Sequence, residues 1–316
     1  MTIDRIATNT QAHYLLSQIM NANSTLETTQ AQVASGKVST NYVGIGDKTA
    51  ALEAARAAAA RADAYASNTQ LAVTQTDLQD TQLTTLSSLA EQLKEAIATA
   101  VGNSDGAGLM ATAQAVFDQA ASILNSTDFN GNYIYGGGQG STKPFTATAL
   151  SDLDGGSVSS FFQNGTQKKS VLVGDGQSVQ IGVLASDVGT ELMTALKNLV
   201  SADVPSGSLD GALTSAQAAN LTDDVLPSAT QAYTDLNTAT AVNGDIYNRL
   251  KDAVANQQSL STLYKGFVSD IEDVDMTQAV TRLNQNQVAL QAALSMTAKL
   301  GQLSLLNYLP ATTTTG

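Results

Sequence analysis

The residues that could do chemistry are few in this chain and poorly spaced for it. There is one histidine, His13, and no cysteine, so a thiolate metal site cannot exist and any Ser-His-Asp relay would have to be built on His13 alone. His13 falls in a segment that reads as a slender helix without a pocket, which makes it a helix-surface residue. Gly136-Gly-Gly-Gln-Gly140 suggests a phosphate loop, but no Lys-Ser/Thr or Gly-x-x-Gly order follows, and a flexible turn is expected. Asp152-Leu-Asp-Gly155 hints at a calcium loop. The twelfth position from Asp152 is Gln163 and not a bidentate Glu, so a turn is the better reading. Scattered carboxylates show no pair that would face a cleft. We therefore nominate no catalytic, cofactor-binding or metal residue and expect a protein that is not an enzyme.

Composition points away from other partners too. The formal net charge of -13 makes binding to nucleic acid or an anionic membrane electrostatically unfavourable. No run of eighteen or more apolar residues is present, so no membrane insertion is expected. The start lacks the basic-then-apolar order of a cleavable signal peptide, so an exported chain would use another route. Trp is absent, while Ala, Gln, Thr, Ser and Asn fill long stretches. Such a makeup suits slim helices packed along a seam better than a core carved around a pocket.

The elements follow from the breakers. The four prolines are Pro144, Pro205, Pro227 and Pro310, which leaves both ends of the chain open to helix. Ala12, Leu15, Ile19, Ala22, Leu26, Thr29 and Val33 follow one another at steps of three and four, the spacing of a coiled-coil seam. That stripe stops at Ser35-Gly36-Lys37, where Gly can close a helix C-terminus. Residues 38 to 48 read as a connector, with Asp47 as the N-cap of the next helix. From Thr49 to about Val101 a helix of roughly 80 Å is expected. Gly102 to Gly108 interrupts it and Leu109 to Leu124 resumes it. Residues 131 to 186 carry glycine clusters and short alternating runs at 132 to 135, 159 to 163 and 169 to 173. The last of these pairs across Gly174-Asp175-Gly176 with Ser178 to Val183 as a hairpin. Helix returns from Asp187 to about Ala202 and from about Leu209 to Gly266.

The closing segment opens on a capping-box pattern at Asp275 and Gln278. Met276, Val280, Leu283, Leu290, Leu294 and Thr297 then repeat the seam spacing, and Leu300, Leu303, Leu305, Leu306 and Leu309 finish it. Two narrow, partly polar seams at opposite chain ends suggest a helical pair with apolar surface left over, which copies of the chain would cover. The expected fold is mainly α with a small β-rich insert, a long antiparallel helical rod whose terminal helices form a coiled-coil assembly domain. Residues 1–40 and 272–316 would be that assembly domain, 41–130 and 187–271 the rod, and 131–186 the outer insert. The candidate assembly interface is Ala12, Leu15, Ile19, Ala22, Leu26, Val33, Val280, Leu283, Leu290, Leu294, Leu303, Leu306 and Leu309.

Particular wording narrows this further. Residues 271 to 283 read Ile-Glu-Asp-Val-Asp-Met-Thr-Gln-Ala-Val-Thr-Arg-Leu, followed by Gln-Val-Ala-Leu-Gln-Ala-Ala-Leu and Leu-Ser-Leu-Leu-Asn-Tyr-Leu. With Gln32-Val-Ala-Ser-Gly-Lys37 and Phe129-Asn-Gly-Asn-Tyr-Ile-Tyr-Gly-Gly137 before Pro144-Phe145, the chain resembles bacterial flagellin-type axial proteins, most of all hook-filament junction proteins. Val43-Gly-Ile-Gly-Asp47 and the Asn-Tyr-Leu ending depart from filament flagellin wording, and the Thr-rich tail 310 to 316 continues past the usual stop. The resemblance implies a subunit exported unfolded through the flagellar type III apparatus. It further implies a homo-oligomeric ring between hook and filament, neighbouring hook-associated protein and flagellin subunits, and an export chaperone over the C-terminal helix. A filament flagellin remains an alternative. So does a surface glycan-binding homologue, which rests only on the aromatic content of 131 to 186.

Overall fold

The computed structural model describes residues 2–203 and 208–306, with backbone alone for 2–9, 12 and 300–306. Its helices are α1 (Thr2–Ser35), α2 (Thr49–Asn103), α3 (Leu109–Leu124), α4 (Ala185–Asp203), α5 (Ser215–Asn220), α6 (Leu226–Glu272) and α7 (Met276–Leu306), with strands β1 (Lys169–Gly174) and β2 (Gln177–Ile181). The chain divides into two compact units, 1–60 with 261–316, and 61–260.

In the unit 61–260, α2 buries a heptad stripe: Ala62, Ala66, Thr69, Val73, Thr76, Leu83, Leu86, Leu93 and Ile97. Small residues in that stripe keep it narrow, and the Ala-rich sequence costs little helical entropy. Lower down, α3 and α4 close a core around Phe117, Leu124, Leu192 and Leu196. Phe145 is fully buried there, with Phe162 and Phe117 ring centroids at 5.1 and 6.1 Å. Asn125 fixes the Phe145 backbone reciprocally: its Nδ2 donates to the carbonyl and its Oδ1 accepts from the amide, both at 3.0 Å. Gly189 lets α4 approach, since a Cβ would lie 2.9 Å from both Leu124 and Phe162.

The hairpin forms where expected, with Val171 opposite Val179. Its inward residues Val173, Val179 and Ile181 pack on Ala72, Val73, Leu250 and Val254. Polar clamps hold its edges: the Tyr65 hydroxyl donates to Asp175 at 2.8 Å, and Gln257 Nε2 donates to the Val173 carbonyl at 2.9 Å.

Four local expectations are corrected. Residues 132 to 135 and 159 to 163 are not strands. The first is turn with one bridge, Thr127 to Tyr133, and the second is mostly a 3-10 turn, Val158–Phe161, because short runs without a ladder partner curl instead. The glycine run is packed, not loose: a Cβ on Gly137 would lie 2.6 Å from Leu184 Cδ2 and 2.8 Å from the Gln167 carbonyl oxygen. Asp47 does not cap α2; it sits inside a 3-10 turn, Gly46–Lys48, that runs straight into it. The helix placed from Leu209 begins at Ser215, capped by Thr214, and passes through a π-turn, Leu221–Val225, before α6. Pro227 lacks the amide proton that would complete the regular ladder there.

In the unit 1–60 with 261–316, α1 and α7 lie antiparallel. Asn286 Nδ2 donates to Thr29 Oγ1 at 3.0 Å, while nearer the C-terminal end of α1 the Val274 amide donates to the Gly36 carbonyl at 2.9 Å. The start of α2 adds buried Leu52, Ala55 and Ala59.

Candidate assembly interface

The terminal pair is fastened at one end by a short backbone ladder. α1 stops because Gly36 turns left-handed, φ 71°, with its amide still bonded to the Gln32 carbonyl at 2.9 Å. Lys37 then bridges Asp273 in antiparallel fashion, and the Val38 amide donates to the Glu272 carbonyl at 2.7 Å. Glu272 also supplies the charge: its carboxylate, 9% exposed, takes Lys37 on one oxygen and Arg56 on the other at 2.7 Å. The hydrogen bond from Lys37, with that from Arg56, holds the Glu272 carboxyl below its ordinary value, and the same contact raises the Arg56 guanidinium. Arg56 in turn reaches Glu53 at 3.0 Å.

α7 starts immediately after this knot. Asp275 Oδ1 accepts from the amides of Thr277 at 2.9 Å and Gln278 at 3.2 Å. Gln278 returns a bond at 3.0 Å to the other Asp275 oxygen, a side-chain variant of the reciprocal cap. Those bonds, the Gln278 amide first, lower the Asp275 carboxyl.

The thirteen candidate residues fall into three groups. Leu15, Ile19, Ala22, Leu26 and Val33 on α1, with Leu283 and Leu290 on α7, are half-buried. They are in step with Thr29 and Asn286, which bond to each other, so these seven lie on the faces the two helices turn toward one another. Val280 and Leu294 point outward, 41% and 50% exposed. The side chains of Ala12, Leu303 and Leu306, and all of Leu309, lie outside the described residues.

Other apolar side chains are exposed that the seam spacing did not single out. Tyr14, Leu16 and Met20 stand out from α1 at 54–64% exposure, and Val288 and Met296 from α7 at 66% and 63%. Their signal in the sequence was apolar residues lying off the stripe. His13 is exposed on α1. Asp152 closes its own turn, accepting from the amides of Thr148 at 2.9 Å and Ala149 at 3.0 Å. Among the described residues no group of three or more His, Asp or Glu gathers as a metal site, and no helix is long and apolar enough to cross a membrane.

Residues 226–309, which include α6 and α7, match the family model of the bacterial flagellin C-terminal helical region. Among curated protein sequences none matches the chain. Among solved structures it is similar to one described as a flagellar hook-associated protein from Vibrio parahaemolyticus, at 14% identity and a TM-score of 0.58, over 74% of this chain and 99% of that one. It is also similar to Bacillus cereus FlgL, at 15% identity and a TM-score of 0.52, over 69% and 98% of the two chains. At such identities the shared property is the fold, which in this chain consists of long packed helices and, among the described residues, one small antiparallel sheet.

Proposed function

From a flagellin C-terminal region set in a flagellin-like fold, we propose that this protein is a structural subunit of the bacterial flagellum, acting as the junction that joins hook to filament. The observation that carries the reading is the condition of α7. Its inner face is taken up by α1, yet Val280, Val288, Leu294 and Met296 remain exposed on a helix inside the matched region. A helix that keeps apolar groups in water after pairing has surface for neighbours to cover.

In this reading the two terminal helices interlock with sister copies in a ring and with neighbouring hook-associated and flagellin subunits. An export chaperone would mask the C-terminal helix beforehand, and the assembled protein would lie outside the cell on the flagellum. Val280 and Leu294 would take part in contacts between subunits, and the half-buried seam residues would hold the pair in shape. Deleting the gene should leave hooks without filaments and flagellin lost to the medium. Normal filaments in the deletion strain would overturn the proposal. The flagellin match also favours a second reading, a filament subunit. Long tubes formed by the purified protein alone would select it, and failure to elongate selects the junction.

A further inference from the structure

Gln79 sits in the middle of α2 with 0% of its surface exposed, and neither its amide nitrogen nor its oxygen has a hydrogen-bond partner. It is not isolated in this. Gln75 and Gln82, one turn to either side on the same helix face, leave Nε2 and Oε1 respectively buried and unpartnered. Gln82 uses its other amide atom on Ser126 Oγ at 3.1 Å. Across from them on α6, Asn243 is 1% exposed. Its Nδ2 donates to the Thr76 carbonyl at 3.0 Å and to Asp80 Oδ1 at 3.2 Å, and its Oδ1 is left without a donor.

Each buried amide atom without a partner costs the hydrogen bond it made to water when unfolded, and the cost of a row of them is comparable with the whole stability of a domain. The row therefore needs partners. Water offers the two donors and two acceptors that such groups require. Gly182 lies between this row and the surface. Gly182 turns left-handed at φ 84°, and a Cβ placed there would lie only 3.8 Å from Gln79 Nε2. Gly182 also lines a surface crevice of about 610 Å³ between β2 and α6, whose other walls include Ser178, Gln180, Thr238 and Arg249.

We propose that Gln75, Gln79, Gln82 and Asn243 form an internal water-binding site that joins α2 to α6 and the end of β2, and that it exchanges with solvent through the crevice at Gly182. The site makes the middle of this unit a wet seam, flanked by the apolar packing around Val73 and Leu250 and by that around Leu86 and Phe117.

A crystal structure of the full chain at a resolution that shows ordered solvent tests this directly. Water within about 2.7–3.2 Å of Gln79 Nε2 and Oε1 is the expected result. Gln79 bonded straight to protein groups, with no water between, would overturn it. The Gln79→Met variant keeps the length of the side chain and removes both polar atoms, so the waters at that position should vanish while the hairpin stays in place. Waters unchanged in the variant would show that Gln79 does not hold them. Should the variant fail to fold, the solvent density of the unaltered protein decides the matter alone.

Discussion

Replacing Glu272 with Gln removes the charge that Lys37 and Arg56 share and leaves the shape of the side chain nearly unchanged. A hydrogen bond to a charged group contributes about 1.5–3 kcal/mol, while a fully exposed ion pair contributes about 0–1 kcal/mol. The carboxylate is 9% exposed but its partners are 45% and 37% exposed, so solvent screens part of the interaction and a loss of about 1–3 kcal/mol is expected. The loss should appear locally, in the ladder that the knot supports. At about 1.4 kcal/mol per factor of ten, the amides of Val38 and Val274 should exchange with solvent roughly 5 to 140 times faster in Glu272→Gln at neutral pH.

The pH dependence carries its own sign. Because folding lowers the Glu272 pKa, its contribution is fully present above the ordinary carboxylate value of 4.5 and is lost as pH falls through the folded value below that. Gln has no proton to gain, so the difference between the two proteins should shrink toward zero on acidification. Hydrogen exchange resolved to single amides, at neutral pH and at a pH below the lowered folded value of Glu272, is the assay. Equal protection of Val38 and Val274 in both proteins at neutral pH would refute the reasoning, as would a difference that survives acidification.

Four further perturbations test packing and assembly. Leu294→Asp, at an exposed site, should leave the helix content of the monomer unchanged and block incorporation, read by circular dichroism and by sedimentation with hook-filament fractions. Leu290→Asp, at a half-buried seam site, should in addition loosen α1 from α7. Gly189→Ala sets a helix-propensity gain of up to about 1 kcal/mol against overpacking of about 1–3 kcal/mol. With Leu124 and Phe162 each 2.9 Å from the new Cβ, overpacking wins, and denaturant unfolding should show a net loss. Asn125→Ala strands both the amide and the carbonyl of a fully buried Phe145, and the same assay should show a loss of about 1–3 kcal/mol per orphaned group.

What the sequence by itself determined is what short-range chemistry decides. The end of α1 was legible because Gly36 is where a left-handed residue closes the helix, and the start of α7 because Asp275 reaches amides two and three residues away. The hairpin was legible for the same reason, since a Gly-Asp-Gly turn between β-branched runs acts within a dozen residues.

Only the tertiary structure decided which atoms those elements would share. Glu272 meets Lys37 across 235 positions and Asn286 meets Thr29 across 257; Asn125 holds Phe145 through a loop that no period describes. Gln79 reads as an ordinary surface-type residue of a polar helix until the chain folds over it. Helix and turn signals depend on neighbours in sequence, so they survive in the bare chain. Which face is wet, which carboxylate is shared and which glutamine is sealed in depend on register between distant segments, and register exists only once the helices have packed.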